Sequence, residues 1–422
     1  MKHASLIVAL VAAGCQLTGE KNRCVTQADC LDGYTCTAAG TCELPTTSCT
    51  PLTCDGHCGM IDDHCGGTLA CGACPDHCTN QVQDPSETDL DCGGDCEPCG
   101  TGLHCAMTSD CLNGTCDGDT CRAGTWSTVA PMPTPRSELA AVAGTDGRIS
   151  VIGGHGASGA GHVVEIYDPG ADSWTTGAQM PTARGDLAAV LGSDGKIYAI
   201  GGDYASVSDP GASIVAEVYD PVMNMWQSLP SLPVGRYALA AAVDASGTLY
   251  AIGGYDGTTA HELGSVATLH PGDPSGTTRA DARTTARSEH VAAPTPDGRI
   301  YALGVEGQIA GSELAALEYY QPGIAGWHTA TPLPTTRKML AAAVLGSHLY
   351  ALGGNRWVGS SMSYTRVVEV YDTTTHAWSQ VTSLPSGRYG HAAVALGGKI
   401  YVVGGRREAG DATTGIVEVF TP

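Results

Sequence analysis

Cysteine is absent from residues 122–422, although the chain has 19 cysteines. All of them lie between Cys15 and Cys121, so the composition divides the chain near residue 121. A chain of 422 residues is long enough for two or more domains. The cysteine-rich part has few large apolar residues, so it depends on cross-links for stability.

Basic residues are also scarce, with 21 Lys and Arg against 43 Asp and Glu, a net charge of −22. Residues 1–121 hold 3 bases and 17 acids, and residues 122–422 hold 18 and 26. Nucleic-acid binding needs clustered cations, so this class of partner is excluded. Anionic lipid surfaces would repel such a chain. The apolar run 6–13 is too short to span a bilayer.

Residues 1–15 are typical of a signal peptide, with Lys2 before the apolar run. The segment ends in Ala-Ala-Gly-Cys15, which resembles a bacterial lipobox. The resemblance implies that Cys15 is lipidated, and Gln16 then suits sorting to the outer membrane. The expected location is the outer membrane or cell surface of a Gram-negative bacterium, with membrane contact through the lipid only. The alternative is ordinary cleavage near Ala13, which would leave Cys15 as a thiol.

Residues 16–121 predict a small, disulfide-rich, loop-dominated stalk. Without Cys15 the remaining 18 cysteines form clusters of four, six and eight. Each number is even, so each cluster can close as a disulfide module. Two Cys-x-x-Cys pairs, 71–74 and 96–99, are also compatible with a zinc site or a redox pair. An exported compartment is oxidising and favours disulfides. Segments 49–74 and 88–121 resemble cysteine-rich modules of exported bacterial surface proteins, which implies a spacer.

No cofactor is expected for the chain. The one candidate is calcium in the acidic loop 84–95, where Asp84, Glu87, Asp89, Asp91 and Asp95 lie close together. Carboxylate oxygens suit calcium, but the spacing fits no EF-hand loop. A solvated acidic loop is the preferred interpretation.

From residue 126 onward one pattern recurs six times, about fifty residues apart. The full pattern has an arginine before a run of small apolar residues, an alternating strand that ends in Gly-Gly, a Glu-x-Tyr-Asp-Pro string and a tryptophan. Five copies carry the Gly-Gly pair, and the fourth has Gly304-Val305 in its place. The arginines are Arg136, Arg184, Arg236, Arg287, Arg337 and Arg388. A period of this length indicates a radial or solenoid array.

Within a copy the pattern predicts four antiparallel strands joined by Asp-Gly hairpin turns. Six four-stranded blades form a closed propeller. The arginine, Gly-Gly, Glu-x-Tyr-Asp-Pro and tryptophan signals resemble the Kelch family. The resemblance implies an all-β, six-bladed Kelch-type propeller over residues 122–422. Copy three departs most, because Ala267 replaces the glutamate and the tryptophan is missing.

The ends of the repeat region predict how the ring closes. Residues 126–129 read as a fourth strand without the three before it, and 417–420 read as a third strand without its fourth. One blade is therefore expected to combine 126–129 with the strands of 388–421. This sharing hides both sheet edges.

The loops after Gly-Gly and the six arginines are expected on one face of the propeller. Loops on a rigid scaffold commonly carry binding sites, and arginine with aromatic residues suits carboxylates or sugars. The predicted binding residues are the six arginines with Tyr204, Tyr237, Tyr255, Trp357 and Tyr389. The alternative is that each arginine pairs with the third-strand glutamate of its own blade, because a buried charge is usually paired.

The preferred function is binding of a protein or glycan partner at the cell surface, without catalysis. One alternative is a carbohydrate-active enzyme, because sialic acid mutarotases are six-bladed Kelch proteins. Such an enzyme needs an acid–base pair in the mouth, for which the candidates are His155, His261, Glu262, Glu289, His290 and His391. The absent cysteines exclude galactose oxidase chemistry, and no metal-binding motif is present. A structural spacer is the second alternative, and the oligomeric state stays open.

Overall fold

The computed structural model describes residues 35–36, 42–43, 60–62, 68–70, 104, 114–117, 120–157, 159–204, 211–257, 262–270, 277–283, 285–304, 315–358, 361–408 and 412–422. The chain divides into two compact units, Met1–Glu97 and Pro98–Pro422. The segment 1–15 and the acidic loop 84–95 lie outside the described residues. Within the described part, no helix has the length and apolar character needed to span a bilayer.

Short antiparallel hairpins occur in the cysteine-rich region. They are β1 (Thr35–Cys36) with β2 (Cys42–Glu43), β3 (Met60–Asp62) with β4 (Thr68–Ala70), and β5 (Gly114–Asp117) with β6 (Thr120–Ala123). The register of β1 and β2 places Cys36 opposite Cys42. The register of β5 and β6 places Cys116 opposite Cys121. In two of the three hairpins, cysteines are therefore direct cross-strand neighbours.

Six four-stranded antiparallel sheets follow, one for each sequence repeat. Blade one contains β8 (Ala140–Ala143), β9 (Ile149–Ile152), β12 (Val164–Asp168) and β13 (Ser173–Thr176), and blade two contains β14 (Ala188–Leu191), β15 (Ile197–Ile200), β16 (Ala216–Asp220) and β17 (Met225–Ser228). Blade three contains β18 (Ala240–Val243), β19 (Leu249–Ile252), β20 (Ser265–Leu269) and β21 (Thr277–Arg283), and blade four contains β22 (Val291–Pro294), β23 (Ile300–Leu303), β24 (Leu317–Tyr320) and β25 (Trp327–Ala330). Blade five contains β26 (Ala341–Leu345), β27 (His348–Leu352), β30 (Val368–Asp372) and β31 (Trp378–Val381), and blade six contains β33 (Ala392–Leu396), β34 (Lys399–Val403), β36 (Val417–Thr421) and β7 (Thr125–Val129). The predicted all-β, six-bladed propeller is confirmed.

Short two-stranded ribbons lie outside the blades. They are formed by the loops after Gly-Gly and, in one case, by the segment that enters blade six. They are β10 (His155–Gly156) with β11 (Gly159–Ala160), β28 (Asn355–Val358) with β29 (Ser361–Tyr364), and β32 (Arg388–Tyr389) with β35 (Arg406–Arg407). The last ribbon joins a Gly-Gly loop to the segment that enters the first strand of the blade. The loops and the arginine-bearing segments are therefore on one face, which we call the loop face.

The core is divided among the joints between blades. Six hydrophobic clusters each combine residues of two neighbouring blades, and together they complete the circle. The second strands of blades one to four are buried at every position. Each blade therefore covers both of its faces with its neighbours, as the small residues of the inner strands allow.

Tryptophan fastens several joints by a hydrogen bond to the preceding blade. The indole N–H of Trp174 donates to the carbonyl of Ala130 at 2.9 Å, and that of Trp226 donates to Ala178 at 2.8 Å. Trp378 donates in the same way to Thr331 at 2.8 Å, and Trp126 to Thr382 at 3.0 Å. The repeated tryptophan thus carries out a structural role at each of these joints.

The Gly-Gly pair is required by close backbone approach. In blade one, Gly153 and Gly154 have φ values of 62° and 95°. A Cβ atom on Gly153 would lie 2.6 Å from the carbonyl oxygen of Arg184 in blade two. The N–H of Gly154 donates to that same carbonyl at 3.0 Å. Only glycine combines this conformation with this contact.

Blade six is built from both ends of the propeller region. β7 pairs with β36 in antiparallel register, with Trp126 opposite Phe420 and their rings 5.0 Å apart. The first strand of the propeller thereby covers the edge of the last one, and the sheet has no unpaired third strand.

Deleting residues 126–133 is expected to destabilise the propeller by about 3 kcal/mol or more, because it exposes the edge of β36 and removes Trp126. For a domain of this size the melting temperature should fall by roughly 10 °C. Thermal unfolding of the full chain, followed by circular dichroism, measures the effect. The control is Thr125→Ala at the exposed start of β7, and an equal melting temperature for the deletion and the control would contradict the expectation.

Candidate active or binding site at the propeller axis

A closed ring of backbone hydrogen bonds surrounds the propeller axis on the loop face. Its six members lie two residues after each arginine: Glu138, Asp186, Ala238, Glu289, Met339 and Gly390. Each N–H donates to the carbonyl of the equivalent residue in the preceding blade, at 2.6 to 3.0 Å, and Glu138 closes the circle by donating to Gly390. All six have φ between 46° and 59°. We call this feature the axial ring.

The axial ring holds five non-glycine residues in the left-handed conformation. Such a conformation costs about 1 kcal/mol per residue and persists only where surrounding structure imposes it. The hydrogen bonds of the ring supply that constraint. As a result, the side chains of three acidic residues start from fixed positions close to the axis: Glu138, Asp186 and Glu289.

A cavity of about 130 Å³ lies at the ring. Its lining consists of the ring residues together with Leu139, Leu187, Leu239, His290, Val291, Leu340 and His391. This volume is below that of typical small-molecule sites, so the cavity suits the end of one side chain or a small polar group. The apolar residues form its walls, and the carboxylates and the two histidines are its polar groups.

Glu138, His155, Asp186 and Asp203 form an acid–base cluster between blades one and two. The Nε2 atom of His155 lies 3.0 Å from Oδ1 of Asp203 and 3.6 Å from Oε2 of Glu138. Since a carboxylate only accepts, Nε2 carries the proton in the shorter contact. Burial lowers the pKa of His155, but the hydrogen bond and charge of Asp203, with the charge of Glu138, outweigh it and raise the pKa.

Asp186 is the most perturbed carboxylate of this cluster. Burial raises its pKa well above the ordinary aspartate value, and the charges of Glu138, Asp203 and Glu289 raise it further. A protonated Asp186 can donate a hydrogen bond, and an ionised one attracts a cation. The cluster therefore offers acid–base chemistry or cation binding.

A donor atom from each of Glu138, His155 and Asp186 lies within 4.8 Å of the other two. Two oxygens and one nitrogen are donors that divalent transition metals accept. Nε2 of His155 would have to release the proton that Asp203 accepts before it could coordinate a metal, and the contacts that raise the pKa of His155 oppose that release. The arrangement fits a hydrogen-bonded cluster better than a metal site.

On the other side of the axis, Lys338 pairs with Glu289 at 2.9 Å between Nζ and Oε2. Further cations on the described loop face, Arg356, Arg406 and Arg407, also belong to blades five and six. The acid–base cluster belongs to blades one and two. Arg406 also acts on the acid–base cluster, because its charge counters the rise in the pKa of His155. The acidic groups are therefore concentrated over the first blades and are bordered by a cation of blade six.

The six repeated arginines are not on an open face, and their prediction as binding residues is wrong. Each is 1% exposed or less. In five blades the guanidinium contacts the third-strand glutamate of the same blade: Arg136–Glu165 at 2.6 Å, Arg184–Glu217 at 2.7 Å, Arg388–Glu418 at 2.7 Å, and the pairs Arg287–Glu318 and Arg337–Glu369. A buried guanidinium needs this compensation, which is the alternative that the sequence left open.

The predicted aromatic residues do not converge on one site. Tyr237 and Tyr255 form a tilted pair in blade three, with ring centroids 5.4 Å apart. Tyr389 is buried against Tyr364 at 5.2 Å, and Tyr204 is 43% exposed. The backbone of Trp357 lies in β28, while its side chain is outside the described part of the structure. Of this group, Tyr237 lies near the acid–base cluster. Burial is the main cause of its raised pKa, and the charges of Asp186 and Asp203 raise the pKa further.

His155 and Glu289 were among the sequence candidates for acid–base chemistry. Glu289 lies in the axial ring, and His155 contacts the ring residue Glu138. His290 and His391 line the cavity but are 4% and 6% exposed. Burial lowers the pKa of His391 to about 3, with a further contribution from Arg388. His261 lies outside the described residues, and Glu262 is buried, where it accepts from Ser288 Oγ at 3.0 Å.

Sequence reasoning missed Glu138, Asp186 and Asp203. Glu138 and Asp186 occupy the same position, two residues after the arginine, on a segment that was expected on the loop face. Asp203 follows Gly-Gly directly, as His155 does. These shared positions were the signal that could have identified the residues. The signal is weak, because three of the six copies carry Ala, Met or Gly two residues after the arginine.

Asp186→Asn is expected to stabilise the protein at neutral pH by on the order of 1 kcal/mol. A raised pKa means that the folded state binds the proton more tightly, so ionisation costs stability as the pH rises through the raised value. The gain should disappear below the ordinary aspartate pKa. Urea unfolding at pH 4 and pH 7 measures it, and Asp146→Asn in an exposed turn is the control. A variant that is less stable at neutral pH would contradict the raised pKa.

Three comparisons with known proteins agree with this architecture. The KLHDC2/KLHL20/DRC7 Kelch-repeats domain matches residues 214–405, and the Kelch motif matches residues 138–181 and 185–233. Kelch-like protein terF of Aspergillus terreus is 31% identical over 219 residues, which is 49% of this chain and 46% of that protein. Human Kelch-like protein 23 is 27% identical over 205 residues, covering 49% of this chain and 35% of that protein. The chain thus spans less than half the length of these relatives.

The solved structure of YjhT is similar over 68% of this chain and 95% of YjhT, with a TM-score of 0.58 and 16% identity. Identity this low shows the fold alone. The matched motifs, the six sheets and this similarity lead to one conclusion. The chain carries a six-bladed β-propeller of the Kelch-repeat type.

Proposed function

We propose that the chain is an exported, lipid-anchored surface protein whose propeller binds a basic protein partner on its loop face. Kelch propellers generally mediate protein–protein interaction. The scaffold holds the loop face rigidly through its inter-blade clusters, and rigid scaffolds with variable loops are suited to recognition. The disulfide-rich region serves as the spacer that presents the propeller.

The acidic mouth is the observation that carries this proposal. Glu138, Asp186 and Asp203 lie together beside the axis, in a chain of net charge −22. The repeated arginines that would attract an acidic ligand are buried, and five of the six are paired with a glutamate of their own blade. The electrostatics of the axis therefore favour a cation over the carboxylate of an acidic sugar.

An ion pair within the chain supports an ammonium group as the occupant of the cavity. Lys338 of the chain itself reaches Glu289 at the ring, with its side chain 10% exposed. A lysine or arginine side chain of a partner would meet Glu138 and Asp186 across the axis. It would reduce the repulsion among the carboxylates, so binding would lower the pKa of Asp186 and release its proton.

Binding of lysine-rich peptides is expected to be stronger than binding of neutral or acidic peptides of equal length. Glu138→Gln and Asp186→Asn should each weaken it about tenfold, which corresponds to about 1.4 kcal/mol. Affinity should increase as the pH rises through the raised pKa of Asp186, because the ionised form attracts the cation. Isothermal titration calorimetry on the full chain gives both quantities.

The matched control is Asp146→Asn, which removes one negative charge from a turn at the opposite ends of the inner strands. It should leave the affinity unchanged. Preferential binding of acidic peptides, or equal losses in all three variants, would contradict a basic partner at the mouth.

A sugar-modifying enzyme is the second candidate, and one observation favours it. Asp186 and His155 both have raised pKa values, and their donor atoms lie within 4.8 Å of each other, as the groups of an acid–base pair must. The acidic mouth directs this candidate toward neutral or amino sugars. Acceleration of the interconversion of α and β anomers, with Asp186→Asn abolishing it, would favour catalysis over binding.

Lipid anchoring is expected to depend on Cys15. Cells that express the chain with labelled palmitate should incorporate label, and Cys15→Ser should abolish incorporation and release the protein into the soluble fraction. Cys24→Ser is a control that leaves the lipobox intact. Label that persists in Cys15→Ser would contradict an anchor at this residue.

A further inference from the structure

Blade three has a buried arginine without a carboxylate partner in the described part of the chain. Arg236 is 0% exposed, like its equivalents. The register of β19 and β20 places Ala267 opposite Ala251, where Glu217 lies opposite Ala199 in blade two. Ala267 therefore occupies the position of the paired glutamate.

Blade three also lacks the threonine that supports this glutamate in other blades. In four blades a threonine two residues before the arginine donates to the second carboxylate oxygen, at 2.8 to 3.0 Å: Thr134, Thr182, Thr285 and Thr335. In blade three this position is Val234, which is 40% exposed. The chain has thus lost both the acceptor and the hydroxyl that holds it, while the cation stays.

Among the residues that the structure describes, the hydrogen-bond partners of Arg236 are all uncharged. Nη1 donates to the carbonyls of Ala251, Gly253 and Ser265 at 3.3, 2.9 and 3.1 Å. Nη2 has one long contact, 3.4 Å to the hydroxyl of Ser265. In blade two the same atom of Arg184 contacts Glu217 at 2.7 Å. Nη2 of Arg236 is therefore poorly satisfied.

A buried guanidinium without an opposite charge is costly, because it has lost its hydration and gained no counter-charge. Burial lowers the pKa of Arg236 to about 10, so the group still carries its charge at neutral pH. Ser265, half-buried beside it, adds a hydroxyl that can donate. Two donors thus border the position that a carboxylate fills in the other blades.

We propose that blade three binds a small monovalent anion, chloride or a small carboxylate such as formate, between Nη2 of Arg236 and the hydroxyl of Ser265. The anion takes the electrostatic role of the glutamate in the other blades. This site is separate from the axial cavity, so it does not depend on the proposed partner. It makes the stability of the propeller sensitive to the anion in solution.

The test compares the wild-type chain with Val234→Thr/Ala267→Glu, which rebuilds the pair of the other blades. Chloride NMR linewidth reports binding directly. The wild type should show excess broadening, and the double variant should lose it. In thermal unfolding at constant ionic strength, replacing gluconate with chloride should raise the melting temperature of the wild type more than that of the variant.

Glu217→Ala provides the reverse test, because it leaves Arg184 in blade two without its carboxylate. It should lower the melting temperature and gain an additional chloride-dependent increase. Added formate distinguishes the two ligands. If formate removes the excess chloride broadening, the site accepts a carboxylate, and if it does not, the site is specific for halide. Equal broadening in the wild type and in Val234→Thr/Ala267→Glu would overturn the proposal, and the NMR measurement on the wild type holds even if a variant fails to fold.

Discussion

The contact that the propeller depends on is the one that each repeated arginine makes with two blades at once. In blade two, Nη1 of Arg184 holds the carbonyls of Gly201 and Val215, and Nη2 holds Glu217. The backbone carbonyl of Arg184 accepts the N–H of Gly154 in blade one. The side chain therefore fixes the second and third strands of its own blade, and the backbone fixes the neighbour. Because equivalent contacts recur in successive blades, they join the blades into a closed ring.

The sequence predicts the fold well because the fold is repeated. A position that fails in one copy, such as Gly304-Val305 in place of Gly-Gly, is recognised from the others. The pairing of five of the six arginines with a glutamate was also visible as a repeated pair. The wrong prediction, an arginine-lined binding face, arose because periodicity shows that a residue matters without showing which way its side chain points. Burial decides that, and burial depends on the packing of neighbouring blades.

The site was harder to predict for the opposite reason. Glu138, Asp186 and Glu289 share one position, but the remaining copies have Ala, Met and Gly there, so no repeat signal marks it. Their proximity is created by the axial ring, which joins residues about fifty positions apart. Asp203 and His155 come from separate loops and meet across a joint between blades. A pattern read along one copy cannot show contacts that exist only between copies.

The axial ring differs electrostatically from the backbone sites that bind ions in other proteins. At a helix end, parallel peptide dipoles add up and create a pole that binds charge. In the ring, six peptide groups follow one another around a circle, so their dipoles point along the circumference and cancel. The backbone of the ring thus gives no polarity of its own to the axis. The sign of charge that the molecule selects at its centre is therefore decided by side chains: those of the five non-glycine ring residues and those that surround them.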